Sequence, residues 1–504
     1  MVLIGFVLLK FLLQYLLVNS QYELHRDEYL HLDQANHLAA GYYSVPPFTS
    51  WIAWLIKQLG NSVFLIRFFP ALFGALTIVV VWRIVKELNG GLYAASLAAF
   101  AMIFSMITRL NILFQPNSFD VLSWTLVYWT LIRYYKKQNP KVLLWMALFF
   151  AIGMLNKYNL LFLGAGLVPA MLFTKGRTLI TGKYSYVAIA IVVLLLLPNI
   201  LWQYRNHFPV VHHMKELETT QLVNVKRSEF FMKQFLFFLP SLFIIIAAWI
   251  GFFRYAAFKK FRFVFISYVI ILSLYTYLRA KDYYAIGLYP VLLAFGSVYL
   301  ENVLSTVRYR RFIRPALFVI VIGLFLPPLY ALFPVLNPQQ IAKHAEQFKK
   351  FGVLTWEDGK DHQLPQDFAD MLGWKELAQK VDKLYDSVTT NHRTLVICDN
   401  YGEAGAINYY SENKNIRALA FNPDYINWFP ADTSSIDRII AVKESGNTID
   451  KADKSIFTQV TEIASVENRA AREFGTQVIL LQADPVAVKN LLTNKIAQYK
   501  KEIE

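Results

Sequence analysis

Side chains able to do acid–base or phosphate chemistry crowd into four short stretches of this sequence. The densest is 22–48, YELHRDEYLHLDQANHLAAGYYSVPPF, where Arg26, Asp27, Glu28, His31 and Asp33 lie close together. Adjacent residues on a helix point in different directions, so Asp27 and Glu28 cannot both address one reacting atom. A carboxylate here can accept a proton from a hydroxyl. The pairs Asp27/His31 and Asp33/His37, four residues apart, offer a second chemistry, divalent-ion binding, although no zinc motif of the HExxH kind is present. The plain structural reading is a solvated interfacial helix with local ion pairs, ended by Pro46-Pro47.

The second stretch, TRLNILFQPNSFD at 108–120, holds Arg109, Asn111, Gln115, Asn117 and Asp120. Asp120 starts an apolar run, where an unpaired charge costs about 2.5–3.5 kcal/mol, so it needs a partner, and Arg109 is the nearest cation in sequence. The third and fourth stretches are NKYN at 156–159 and RAKDYY at 279–284. Their cations, Lys157, Arg279 and Lys281, could hold a phosphate or meet lipid headgroups. Tyr283, Tyr284 and Tyr289 suit an interfacial aromatic belt as well as a substrate wall. Carboxylates from one segment and cations from three others suit transfer of a group away from a phosphate-bearing lipid.

The elements that carry these residues are read from composition. Of 504 residues 56% are hydrophobic and only 17% charged, against about 25% charged in soluble domains. Cys398 is the single cysteine, which excludes a disulfide framework. The net charge of +15 is scattered between apolar runs, which points to membrane orientation rather than nucleic acid. Apolar runs approaching 20 residues occur at 1–18, 63–82, 91–107, 118–135, 142–155, 160–173, 186–202, 235–254, 263–278, 285–300 and 315–336. They predict a polytopic α-helical membrane protein with about eleven transmembrane helices. Lys10, inside the first run, is expected to snorkel or to face the bundle. With the N-terminus cytoplasmic, the inside loops carry Arg83 and Lys86; Lys136, Lys137 and Lys141; Lys175, Arg177 and Lys183; Lys259, Lys260 and Arg262; and Arg308, Arg310, Arg311 and Arg314. All four chemical stretches then lie outside.

Beyond residue 336 the pattern becomes that of a soluble α/β domain. Gly373–Val388 has helical periodicity, while Thr394–Cys398, Arg438–Val442 and Val478–Gln482 read as buried strands, and Val486–Ile503 as an amphipathic helix. The division is therefore 1–336 in the membrane and 337–504 outside it.

The run HRDEYLHLDQANHLAAGYYSVPPFTSWIAWL resembles the first outer loop of bacterial family 39 glycosyltransferases, which belong to the GT-C superfamily. QPNSFD at 115–120, NKYN at 156–159, LPNILWQYRNHFP at 197–209, KDYYAIGLYPVLLAFGSVYLE at 281–301 and DNYGEAGAINYY at 399–410 extend the resemblance in order along the chain. Ser44 departs from the pattern, which has Asp there. The resemblance implies a GT-C fold and a polyprenyl-phosphate-sugar donor. It also implies a lipid, glycan or protein acceptor, and inverting single displacement on the periplasmic side of the bacterial inner membrane. It implies Asp27 as general base with Glu28 beside it, Asp120 orienting a cation, and Lys157 and Lys281 on the lipid phosphate. Arg109 and Arg279 join the phosphate-binding set on charge and location, and His37, Tyr283 and Tyr284 would line the substrate. Gly402 and Gly405 would allow backbone approach to a saccharide or a tight turn. No metal ligand set is assigned, while a divalent cation bridging the phosphate stays open. The rival readings are a lipid or solute transporter, disfavoured because the charges gather at one end of the spans, and a cell-envelope scaffold with the polar outer loops as its docking surface. The parity of the spans is checked by fusing an alkaline phosphatase reporter after residue 336. It should be active, and a cytoplasmic reading would invert the topology.

Overall fold

The structure, a computed structural model, describes residues 1–173, 182–349, 352–389, 392–421 and 424–503. Lys175 and Arg177 lie outside the described residues. The N-terminal part is helical throughout: α1 (Val2–Leu16), α2 (Arg26–Gln34), α3 (Phe48–Gln58), α4 (Val63–Glu87), α5 (Leu92–Ile103), α6 (Met106–Leu110), α7 (Pro116–Lys137), α8 (Val142–Asn156) and α9 (Leu160–Leu172). It continues with α10 (Lys183–Arg205), α11 (Pro209–Thr220), α12 (Arg227–Leu236), α13 (Leu242–Arg254), α14 (Arg262–Tyr277), α15 (Tyr289–Ser305) and α16 (Arg310–Phe325).

Helix covers each apolar run, but length separates them. Among the described residues, three helical segments are individually long and apolar enough to cross a membrane: α4, α10 and 282–305. The pair α12 and 239–254, bent by 58°, makes a fourth if it is one span. Of the other runs, 118–135 lies in the 22-residue α7, long enough but too polar, and several more fall in shorter helices. Run 91–107 stops at Phe104 because Ser105 caps a new helix, its hydroxyl accepting the Ile107 N–H. At about 1.5 Å per residue, helices of 12 to 15 residues such as α5, α8 and α1 fall short of a hydrocarbon core of about 30 Å.

At the middle of the bundle, every residue of α15 from Tyr289 to Val298 is buried. This helix packs on α13, α5 and α4. The contact with α13 is so close that a Cβ on Gly296 would stand 1.8 Å from the Ile244 carbonyl oxygen. Lys10 faces the bundle rather than the interface: it is 1% exposed and its Nζ donates to Gln14 Oε1 at 3.4 Å.

The C-terminal part is a five-stranded sheet in the order β2-β1-β3-β5-β4, with β1 Arg393–Cys398, β2 Ala418–Ala420, β3 Ile436–Lys443, β4 Gln459–Ser465 and β5 Gln477–Gln482. The first three strands are parallel, and β5 runs antiparallel to both β3 and β4. Helices α17 (Trp374–Val388), α18 (Tyr401–Tyr410) and α19 (Pro485–Ile503) accompany it. Two strands had no sequence signal. β2 is three residues long, and β4 is an edge strand whose QVTEIAS sequence stays half exposed.

The outer loop differs most from expectation. Helix α2 ends at Gln34, because Tyr42 Oη donates to the carbonyls of Gln34 (3.0 Å) and His37 (3.1 Å). Pro46-Pro47 does not end it; Pro47 is instead the N-cap of α3. Nor is α2 solvated: Glu28, Tyr29, His31, Leu32, Asp33 and Gln34 are all buried. Leu24, Tyr29, Leu32, Ala53 and Ile56 share one apolar core with Trp374, Leu377, Val381 and the sheet. Residue 336 is therefore no seam in the packing. Gly402 and Gly405 lie inside α18 rather than in a turn. A Cβ on Gly405 would stand 2.7 Å from Tyr29 Cβ, and one on Gly402 3.1 Å from Arg26 Cβ. They let α18 lie directly against α2.

Replacing Gly296 by Ala forces α13 and α15 apart and should destabilise the bundle by at least about 1–3 kcal/mol. The apparent Tm of the detergent-solubilised protein should fall. Gly323→Ala, with nothing within 4 Å of the new Cβ, should leave it unchanged.

Candidate active site

Asp27 sits in the first turn of α2, whose N-terminus is built by a capping box. His25 Nδ1 accepts the Asp27 N–H at 3.2 Å, and Glu28 Oε2 accepts the His25 N–H at 2.6 Å. The other Glu28 oxygen accepts the Phe114 N–H at 2.7 Å. Glu28 is fully buried and both its oxygens are engaged by backbone. It is thus not placed as a reacting group. It brackets the chain at Phe114 and so holds the residues that follow against Asp27.

Those residues form a relay. Gln115 Nε2 donates to Asp27 Oδ2 (2.9 Å), Asn117 Nδ2 donates to Gln115 Oε1 (2.9 Å), and Lys157 Nζ donates to Asn117 Oδ1 (2.7 Å). On the opposite side Tyr401 Oη, from the first residue of α18, donates to Asp27 Oδ1 at 2.7 Å. The Asp27 side chain keeps 37% exposure. Burial works to raise its pKa, but interaction with His25 and Arg26 and the Tyr401 hydrogen bond outweigh it and hold the carboxyl below its ordinary range. Asp27 is therefore ionised at neutral pH.

Lys157, in the break between α8 and α9, lies over the rings of Tyr284 (4.3 Å to the centroid) and Tyr283 (5.1 Å). Burial, together with repulsion from Lys281 and against attraction from Asp120, pushes its pKa down to about 8. Lys281 lies two residues before Tyr283, whose ring Lys157 faces, and its repulsion contributes to the lowered Lys157 pKa. Lys281 Nζ pairs with Glu357 Oε1 at 2.8 Å.

Asp120 stands behind this pair and is not partnered by Arg109. Its oxygens accept from Asn159 Nδ2 (2.7 Å) and Trp124 Nε1 (3.1 Å). Asn159 Nδ2 also donates to the Tyr284 carbonyl at 3.1 Å. Asp120 is thus a positioning group for the Tyr284 segment under Lys157. Arg109 instead pairs with Asp367 at 2.7 Å, next to His25, whose Nε2 is 3.5 Å from Asp370 Oδ2. One Arg109 nitrogen, Nη1, is buried without a protein partner.

Two predicted site residues are not brought into this network. Arg279 is exposed, in a left-handed backbone conformation (φ 52°). His37 lies beyond the other end of α2 and stacks on Trp428 at 4.3 Å. Residues of the candidate ion-binding pairs along α2 have other partners: His31 Nδ1 meets Gln34 Oε1 (3.0 Å), and Asp33 accepts from Asn408 Nδ2 and Tyr425 Oη (both 2.7 Å). Sequence reasoning missed Tyr401, Glu357 and Asp367 as site groups. Tyr401 lies inside the noted NYGEAGA motif, whereas Glu357 and Asp367 carry no local signal.

The family model for dolichyl-phosphate-mannose-protein mannosyltransferases matches residues 44–202. The lipid A galacturonosyltransferase RgtD of Rhizobium johnstonii is 24% identical over 209 residues, which is 40% of this chain. That match spans 43%, less than half, of the relative's length. Among solved structures, ArnT from Cupriavidus metallidurans bound to undecaprenyl phosphate superposes with a TM-score of 0.64 at 14% identity, covering 95% of this chain and 97% of that one. Its apo form gives 0.63 at 14% identity over 96% and 97%. The chain therefore shares the fold of ArnT over nearly its whole length, and residues 44–202 match the dolichyl-phosphate-mannose-protein mannosyltransferase model.

Proposed function

We propose that this chain is an integral membrane glycosyltransferase that moves a sugar from a polyprenyl-phosphate donor to an acceptor hydroxyl at the outer face of a bacterial inner membrane. The observation that carries the reading is the amide relay from Asp27 to Lys157, which puts a carboxylate and an ammonium group at one mouth, with Lys281 two residues before the Tyr283 ring that Lys157 faces. The undecaprenyl phosphate bound in the fold neighbour and the mannosyltransferase signature support the donor class. Nothing in the comparisons favours a transporter.

In this mechanism Asp27 orients the acceptor hydroxyl and takes its proton as the oxygen attacks the anomeric carbon. The bond from that carbon to the phosphate oxygen breaks on the opposite face, giving inversion, and the electron pair leaves with the phosphate. Lys157 and Lys281 neutralise the charge that grows there. An ionised Asp27 with a depressed pKa binds the hydroxyl strongly and takes its proton late, once bond formation has made that proton acidic. Asp120 holds the Tyr284 segment under Lys157 through Asn159, while Arg109 is committed to Asp367 beside His25.

Three outcomes follow. Asp27→Asn should lower transfer from labelled undecaprenyl-phosphate sugar by about 10²–10⁴-fold while donor binding persists, and near-normal turnover would remove Asp27 as base. Lys157→Ala and Lys281→Ala should each raise donor KM by about tenfold or more, whereas Arg279→Ala should leave it nearly unchanged. Because Lys157 carries its charge below about pH 8 and loses it above, donor KM should climb as pH passes through that value. Lys157→Arg should move that limb to higher pH.

A further inference from the structure

Glu403, Glu444 and Glu473 meet at the N-terminal end of α18. Glu403 is the third residue of α18, Glu444 follows β3 directly, and Glu473 lies in the turn before β5. One oxygen of each lies within 4.8 Å of the others. Glu403 and Glu473 are 0% and 3% exposed, while Glu444 is half-buried.

Each carboxylate is held by one oxygen. Glu403 Oε2 accepts the N–H groups of Asp399 (2.9 Å) and Asn400 (3.2 Å). Glu444 Oε1 accepts Asn400 Nδ2 (2.6 Å), and Glu473 Oε2 accepts Thr476 Oγ1 (3.0 Å). The remaining oxygens of the two buried members, Glu403 Oε1 and Glu473 Oε1, have no partner. Orphaned buried carboxylate oxygens are costly, and three carboxylates at this range repel. The neighbouring cations are mostly committed elsewhere. Lys443 pairs with Asp399 at 2.6 Å and Arg472 with Asp370 at 3.1 Å, while Arg26 and, more weakly, Arg472 act on Glu473.

We propose that Glu403, Glu444 and Glu473 bind a hard divalent cation of the calcium class. The donors are all oxygen, which selects such ions over zinc or copper. Oxygens within 4.8 Å of one another are close enough to share one ion of calcium size, whose ligands stand about 2.3–2.6 Å from it. Ligating carboxylates whose second oxygen is hydrogen-bonded are what a metal site needs around it. The half-exposed Glu444 leaves an entry path for the ion and room for water ligands. The ion would fasten β3 and the β5 turn to the N-terminus of α18, and through Tyr401 would steady Asp27. The site is separate from any cation on the donor phosphate and does not depend on the proposed reaction.

The test uses the full chain in detergent, stripped with EDTA and desalted. Ca²⁺ is titrated while thermal unfolding and equilibrium dialysis of ⁴⁵Ca²⁺ are followed. One ion per chain should bind, with an apparent Tm rise of about 2–3 °C at a hundredfold excess over Kd. Glu403→Gln and Glu473→Gln should abolish the response, and Glu444→Gln should weaken binding at least about tenfold. Asp432→Asn, at the exposed edge, should bind as the parent does. Should the buried variants aggregate, the half-exposed Glu444→Gln decides. An unchanged Tm and no bound ion at millimolar Ca²⁺ would overturn the site. So would undiminished binding in Glu444→Gln, or a Glu473→Gln protein more stable than the parent with no calcium dependence, since protons would then satisfy the cluster.

Discussion

Two primary amides, Gln115 and Asn117, hold the site together by joining a carboxylate to an ammonium group that would otherwise have to meet directly. A direct Asp27–Lys157 ion pair would neutralise both charges and, for the reaction proposed above, place them too close for a sugar between them. The amide bridge keeps the charges apart, fixes the orientation of each and leaves both partly exposed. It works only if the turn before α7 stays against α2. Glu28 does this from the interior, spending both oxygens on backbone N–H groups at His25 and Phe114.

The same logic explains why a short polar helix is buried. Taking the α2 carboxylates out of water is costly, and each is compensated by hydrogen bonds, Glu28 within the bundle and Asp33 from Asn408 and Tyr425 of the C-terminal part. Burial still pushes the Asp33 carboxyl up to about 6. Gln34 adds a donor to Asp424, which in turn accepts the Tyr43 N–H. These contacts fix α2 at both ends, so the reactive carboxylate stands on a rigid element.

Much of this was legible beforehand because it rests on local pattern. Apolar runs gave the helices, β-branched runs gave β1, β3 and β5, and the crowding of ionisable residues marked the four segments that converge. The number of membrane crossings was not legible in the same way, since apolar composition does not reveal a break such as the one Ser105 makes. Partners were also hidden where they lie far along the chain. Asp120 was assigned to Arg109 on proximity in sequence, whereas Asn159 and Trp124 satisfy it and Arg109 is drawn to Asp367. The two glycines of α18 were read through backbone freedom, although their use is the absence of a side chain against Tyr29 and Arg26. A contact between two helices, one from each end of the sequence, leaves no trace in either one alone.

The shared core of α2, α3 and the sheet bears on how the molecule can be divided. Tyr29 sits edge-on to the Trp374 ring at 5.8 Å, and Leu24 and Leu32 lie in the same cluster as Leu377 and Val381. A fragment beginning near residue 337 would leave that side of α17 and α18 facing water, an apolar scar with no cover. The sheet region is therefore better regarded as a graft whose rootstock is the first outer loop. Moving it to another bundle intact would require carrying residues 22–58 along with it.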